Sequence, residues 1–221
     1  MKKVLLFASI AIIFASCSFQ PKFELKVNIH NNDSLLNKKF FISQKIDGTV
    51  IYSDSIKIKK NQFLVKIPYK GPALLNVSIP KSNVYDIMMA AEQGQILLSI
   101  DSVRPYFSGT PINDHLQVFL NGNDSVSKLF QQLQEEYESK RTANLLTPQI
   151  REAYQENRLQ LINSNTDRTI AFIHENIDNP IGEYYFMIHY ASFPTDRKLE
   201  LNSFATDKLR KIVGIKKTVD N

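Results

Sequence analysis

Phe23-Glu24-Leu25-Lys26-Val27-Asn28-Ile29 decides the fold, with an apolar side chain at every second position and a charged or amide side chain between. A pleated strand sends successive side chains to opposite faces, so this stretch reads as a strand buried on one face and wet on the other. The same period returns at Phe63, Val65 and Ile67, at Ala73, Leu75, Val77 and Ile79, and at Ile96, Leu98 and Ile100. Phe40, Phe41 and Ile42 form a denser apolar run, expected as a strand covered on both faces. Turn formers separate these runs: Asp47-Gly48, Lys60-Asn61, Lys70-Gly71-Pro72 and Gln93-Gly94. The spacing predicts an antiparallel sheet or sandwich of about seven strands over residues 23–109.

Past Gly109 the period changes to that of a helix. Ile112, Leu116, Phe119 and Leu120 share one stripe, and Val126, Leu129, Phe130, Leu133 and Tyr137 another. Asn121-Gly122-Asn123-Asp124 between them predicts a kink or a break. Thr147-Pro148 and Asn179-Pro180 each open a further helix, proline being well placed at the first helical position. The helix from Ile181 to Phe193 is apolar on most sides and is expected to be buried. A last amphipathic segment carries Leu199, Phe204, Leu209, Ile212 and Val213, with Gly214 as its stop. The class is therefore α+β: a β-rich module over 23–109, a helical region over 110–215 and a tail over 216–221. The stripes led by Leu129 and Ile173 need each other or the sheet as a partner surface.

Ahead of the first strand, Met1-Lys2-Lys3 precedes an almost wholly apolar or small stretch, Val4 to Ser16, closed by Phe14-Ala15-Ser16-Cys17. Thirteen helical residues reach about 20 Å, short of a hydrocarbon core about 30 Å thick. A transmembrane anchor is therefore disfavoured. An ordinary secretory signal has the same charged start, apolar centre and small-residue end. Such a protein would carry its one cysteine as a free thiol into an oxidising compartment, which is uncommon. The ending resembles the lipobox of bacterial lipoproteins, with Phe14 bulkier than the usual aliphatic residue. That resemblance implies a signal peptide over 1–16, removed to expose an acylated Cys17, and a short tether over 17–22. The protein would then be held to a membrane of the bacterial cell envelope by its lipid, facing the periplasm. Two or more acyl chains hold a protein stably where one does not.

Without the first 16 residues, 205 of the 221 remain and the net charge falls from +5 to about +3. Basic and acidic residues are interspersed with no block of five like charges, so no nucleic-acid partner is expected. With Cys17 acylated, the body holds no thiol, which excludes disulfides, thiolate catalysis and cysteine-bound metals. His30, His115, His174 and His189 show no i, i+3 or i+4 pairing to face a common metal. Ser125-Val126-Ser127-Lys128 matches a Ser-x-x-Lys nucleophile motif only formally, because its Ser-Asp-Asn and Lys-Thr-Gly companions are absent. Glu135-Glu136 reads as a solvated helix face. Tyr184, Tyr185, Phe186 and Tyr190 could line a groove, but they serve equally to fill a core, and core is the preferred reading. No catalytic residue and no cofactor is expected.

Three stretches together resemble a known family. Asp54-Ser55 followed by Asn61-Gln62-Phe63-Leu64-Val65 is similar to a hairpin of a module of unknown function. That module precedes the thioredoxin-like domain in envelope thiol–disulfide oxidoreductase lipoproteins of the peroxiredoxin and TlpA type. Glu92-Gln93-Gly94-Gln95-Ile96 with Ser108-Gly109-Thr110-Pro111-Ile112-Asn113-Asp114 resembles its closing strand and helix entry. Asn179-Pro180-Ile181-Gly182 resembles the entry of the helix leading towards the thioredoxin domain. The family's redox pair, a Cys-x-x-Cys, is missing here, so its activity does not carry over. The resemblance implies a non-catalytic binding or accessory module, partnering a separate thioredoxin-like protein. Docking would use an exposed apolar strip on the last helix, at Phe204, Leu209 and Ile212. The competing reading is an envelope hydrolase whose active site leaves no sequence signature; convergent carboxylates in a deep pocket would favour it.

Overall fold

A computed structural model describes residues 22–82, 86–101 and 104–214. The signal segment, Cys17, most of its tether and the tail after Gly214 lie outside the described residues. Among the described residues eight strands form two four-stranded sheets: β1 (Lys22–Ile29), β2 (Lys39–Ile46), β3 (Thr49–Lys57), β4 (Gln62–Pro68), β5 (Ala73–Ser78), β6 (Ile87–Ala91), β7 (Gln95–Ile100) and β8 (Pro105–Ser108). The first sheet runs β4-β1-β7-β8 and the second β3-β2-β5-β6. All neighbours are antiparallel except β1 and β7, which are parallel. Five helices follow: α1 (Pro111–Thr142), α2 (Pro148–Glu175), α3 (Pro180–Tyr190), α4 (Thr195–Phe204) and α5 (Asp207–Ile212). The arrangement is α+β.

The alternating residues of β1 behave as their period demands. Phe23, Leu25, Val27 and Ile29 are buried with Val65, Ile67, Ile96, Leu98 and the inner residues of the second sheet. Phe41 departs from expectation. Phe40 and Ile42 point into the core, while Phe41 stands on the outer face, 36% exposed, so this run is a one-sided strand. β6 carries no readable alternation (Ile-Met-Met-Ala-Ala) because Met89 and Ala91 face the core while Ala90 is roofed by α1. A strand covered on both sides has no polar face to mark its period.

Helix α1 closes the side of the sandwich where β6 and β8 end the two sheets. The buried Asn113 amide accepts from the Ala90 N–H (2.9 Å) and donates to the Ala90 carbonyl (3.0 Å), as a neighbouring strand would. One turn on, Gln117 accepts from the Phe107 N–H of β8 at 2.9 Å. The Glu92 carboxylate accepts from the Ile112 and Asn113 N–H groups (3.3 and 3.1 Å), capping the positive end of the helix. Two edge strands are thereby satisfied by side chains of a helix.

α1 runs unbroken through Asn121–Asp124. Gly122 leaves room for the Arg168 guanidinium to lie flat against the helix, where a Cβ would come within 1.8 Å of Arg168 Nη1. Arg168 donates to Asn123 and Asn165 and sits 5.6 Å from the centroid of the Phe119 ring. Gly122 and Asn123 thus serve the α1–α2 contact, while Asp124 pairs with Arg104 ahead of β8 and Asn121 accepts from Gln117 within the helix. From Asn121 to Thr142 no residue of α1 is buried, so about 33 Å of helix runs with α2 as an arm beyond the body. Tyr137 and Tyr154 stack across its seam at 4.2 Å. The stripe led by Leu129 runs along α2, its Leu133 and Tyr137 lining a groove with Ile150 and Tyr154, although Leu129 itself is 48% exposed; Ile173 is fully buried.

Two apolar clusters hold the body. The larger joins both sheets to Leu116, Phe119, Phe172 and Ile181. The smaller is helical, built from Ile170, Ile173, Phe186, Leu201, Ala205 and Leu209. Tyr185 packs against both, and burial pushes its hydroxyl pKa up to about 12. Among the described residues no helix is long and apolar enough to cross a membrane.

Candidate functional site

A cleft of about 340 Å³ lies where the β2–β3 turn, the start of β5, α3 and α5 meet. Asp47 and Gly48, both at positive φ (51° and 76°), form the two-residue connection between Ile46 and Thr49. Positive φ at both central positions suits the strand twist of a hairpin, and an aspartate followed by glycine adopts it readily. The turn thus carries the Asp47 carboxylate to the mouth of the cleft.

The opposite wall begins at Asn179. Its side chain accepts from the N–H groups of Ile181 (2.9 Å) and Gly182 (3.2 Å), starting α3, and its amide donates to Asn176 Oδ1 at 2.9 Å. Gly182 is required by proximity: a Cβ would lie 1.9 Å from the Asn176 carbonyl oxygen. The Asn-Pro-x-Gly sequence is therefore the joint that sets the angle between α2 and α3. Glu183, one residue on, sits in the first helical turn, favourable for a carboxylate.

Lys208 of α5 bridges the two walls, donating to Glu183 Oε2 at 2.5 Å and pairing with Asp47. Burial lowers the pKa of this ammonium, but the hydrogen bonds and charges of Asp47 and Glu183 outweigh that effect and hold it above the ordinary lysine range. Lysine nucleophiles and bases need the opposite shift. Lys208 is a latch between the sheet and the helices, and two of the three carboxylates in the lining, those of Asp47 and Glu183, are spent on it, the third being Asp178. Beside the latch the lining mixes Lys45, Asp178 and Asn179 with Leu74 and Pro180, and Met187 (40% exposed) and Ile212 (55%) are open to solvent.

The expected docking residues separate. Ile212 borders this cleft, but Leu209 is wholly buried in the helical cluster and Phe204 is half-buried, its ring 4.6 Å from His174. The continuous strip over Phe204, Leu209 and Ile212 does not exist. Thr206 caps α5 and turns Leu209 inward, and one turn later Ile212 faces the cleft. Helix α3 is likewise less buried than its composition implies, since Met187 and Ile188 are exposed while Ile181, Gly182 and Phe186 are covered.

The histidines are dispersed. His115 meets Glu175 at 3.2 Å, His174 packs on Phe204, and His189 stacks between Tyr185 and Phe193. Burial lowers the His189 pKa. Among the described residues no three His, Cys, Asp or Glu side chains converge as a metal site. The Ser125 hydroxyl donates to the Asn121 carbonyl at 3.0 Å. Asp47, Glu183 and Lys208 carry no joint signature in the sequence because each is an ordinary surface charge: Glu183 belongs to no His-Glu-x-x-His motif, and the local signals here are the turn at Asp47-Gly48 and the helix start at Asn179-Pro180. No protein-family model and no curated protein matches this chain.

Proposed function

We propose that this is a lipid-anchored envelope protein that works by binding, as an accessory module to a separate thioredoxin-like protein. The observation that supports this reading is the cleft between the β2–β3 turn, α3 and α5. It offers exposed Met187 and Ile212 beside a charge-locked lysine. Exposed apolar groups rimmed by charge are the usual surface of a protein contact. The anchor is Cys17, the only cysteine.

Two measurements test the parts separately. Cys17→Ser should abolish the acyl mass of the mature protein and release it from the membrane fraction; an unchanged acyl mass would overturn the anchor. Affinity capture of the anchored protein from its native envelope should recover a thioredoxin-like partner, and Met187→Glu with Ile212→Glu should remove it while the melting temperature holds. Recovery that is indifferent to both substitutions would overturn the cleft as the contact.

A further inference from the structure

The two sheets differ in what covers them. Helix α3 rests on β5 and β6 of the second sheet, while α1 reaches the first sheet chiefly at its edge strand β8. On the open outer face of the first sheet, Lys26 stands between Leu64 of β4 and Leu97 of β7. Tyr106 stands across from Ser99 in the next row. Leu64, Leu97 and Tyr106 are 47%, 37% and 48% exposed. Lys22 and Lys66 lie on the same face, since alternate residues share one side. Glu24, paired with Lys66 at 3.6 Å, is the one acidic residue among these strand positions, leaving the group cationic.

The position of the anchor gives this face its partner. β1, an inner strand of the first sheet, is the first strand after Cys17, and Lys22 is only five residues from it. At full extension five residues span about 18 Å, roughly two Debye lengths at physiological salt. A chain acylated at Cys17 therefore keeps the start of β1 beside the headgroups, and tethering raises the effective concentration of weak contacts.

We propose that the outer face of the first sheet is a membrane-contact surface that lies on anionic lipid. Lys22, Lys26 and Lys66 meet headgroup phosphates, and Leu64, Leu97 and Tyr106 enter the interfacial layer that aromatic and amphipathic side chains favour. The proposal rests on the Cys17 anchor. It implies that the second sheet and the cleft face away from the bilayer, free for a protein partner.

The test uses the native acylated protein in phosphatidylglycerol–phosphatidylethanolamine vesicles, spin-labelled at Leu97→Cys or Tyr106→Cys, or at Ser53→Cys on the second sheet. The acylated sulfur of Cys17 is a thioether, so only the introduced thiol takes the label. Labels at 97 and 106 should collide far less with a water-soluble nickel reagent, and more with oxygen, than the label at 53. Lys22→Glu with Lys26→Glu should weaken that protection by about fivefold for each lysine lost. Equal collision rates at the three positions, in protein that floats with the vesicles, would overturn this face while leaving the anchor intact. Protein that fails to float would overturn the anchor and this proposal together.

Discussion

Gly182→Ala is the sharpest probe of the joint that builds the cleft. Gly182 is helical and buried, and in an ordinary helix interior the substitution would stabilise by about 0.5–1 kcal/mol. Here the new methyl would sit 1.9 Å from the Asn176 carbonyl oxygen, 2.2 Å from its carbon and 2.8 Å from the Ile177 nitrogen. All three are backbone, so relief requires the α2–α3 turn to move by more than 1 Å rather than a side chain to swing. That movement strains the Asn179 N–H bond to the Asn176 carbonyl (3.0 Å) and the amide contact between Asn179 and Asn176. Overpacking costs about 1–3 kcal/mol and each hydrogen bond about 1 kcal/mol. Against the propensity gain, the net loss is about 2–3 kcal/mol, or roughly 4–12 °C in melting temperature at this chain length. Gly122→Ala is the control, because its obstruction is the mobile end of Arg168, and its stability should change by no more than about 1 kcal/mol. Urea unfolding of both variants decides the matter. Gly182→Ala as stable as wild type, or no worse than Gly122→Ala, would refute the reasoning.

Asn113→Ala should cost about 3 kcal/mol in urea unfolding, because it strips the partners from both the N–H and the carbonyl of buried Ala90; a loss below about 1 kcal/mol would mean that water replaces the amide without penalty. His189 has a folded pKa below its unfolded value of about 6.5. The unfolded chain therefore takes up the proton first, and stability should fall as pH drops below that value. His189→Phe should lose less stability than wild type between neutral and mildly acid pH, and equal losses would count against the burial argument. Protein beginning at Ser18 contains no thiol and should match the buffer blank in insulin reduction, since exchange requires a thiolate; activity above the blank would contradict that chemistry.

What was legible in the sequence was whatever one element determines for itself. Phe23 to Ile29 states its strand and its buried face because alternation is a property of the strand alone. Thr147-Pro148 and Asn179-Pro180 mark helix starts because capping is local, and both caps form. What was not legible depends on a second element. Asn121-Gly122-Asn123-Asp124 looks like a break until Arg168 of another helix fills the notch above the glycine. Leu209 and Ile212 look equivalent on α5 until the helical cluster takes one and the cleft the other. Asn113 looks like a polar residue in the first turn of a helix until β6 ends beside it with an unpaired residue edge.

The same logic explains why the candidate site lies at a junction and not within an element. Each wall of the cleft is anchored by a rigid local device: the positive-φ turn at Asp47-Gly48, the Asn179 cap with Gly182, and the Thr206 cap of α5. Lys208 then fixes their spacing with two charged hydrogen bonds across partly exposed surface. Exposed ion pairs contribute little to stability, so the latch governs shape more than folding. A lysine replaced by methionine should leave the melting temperature nearly unchanged while loosening the β2–β3 turn from α3. Hydrogen exchange at Gly48 and Thr49 reads that loosening directly. If Lys208→Met instead lowered the melting temperature as much as Gly182→Ala, the lysine would belong to the core, and the cleft would lack the adjustable wall that a binding reading requires.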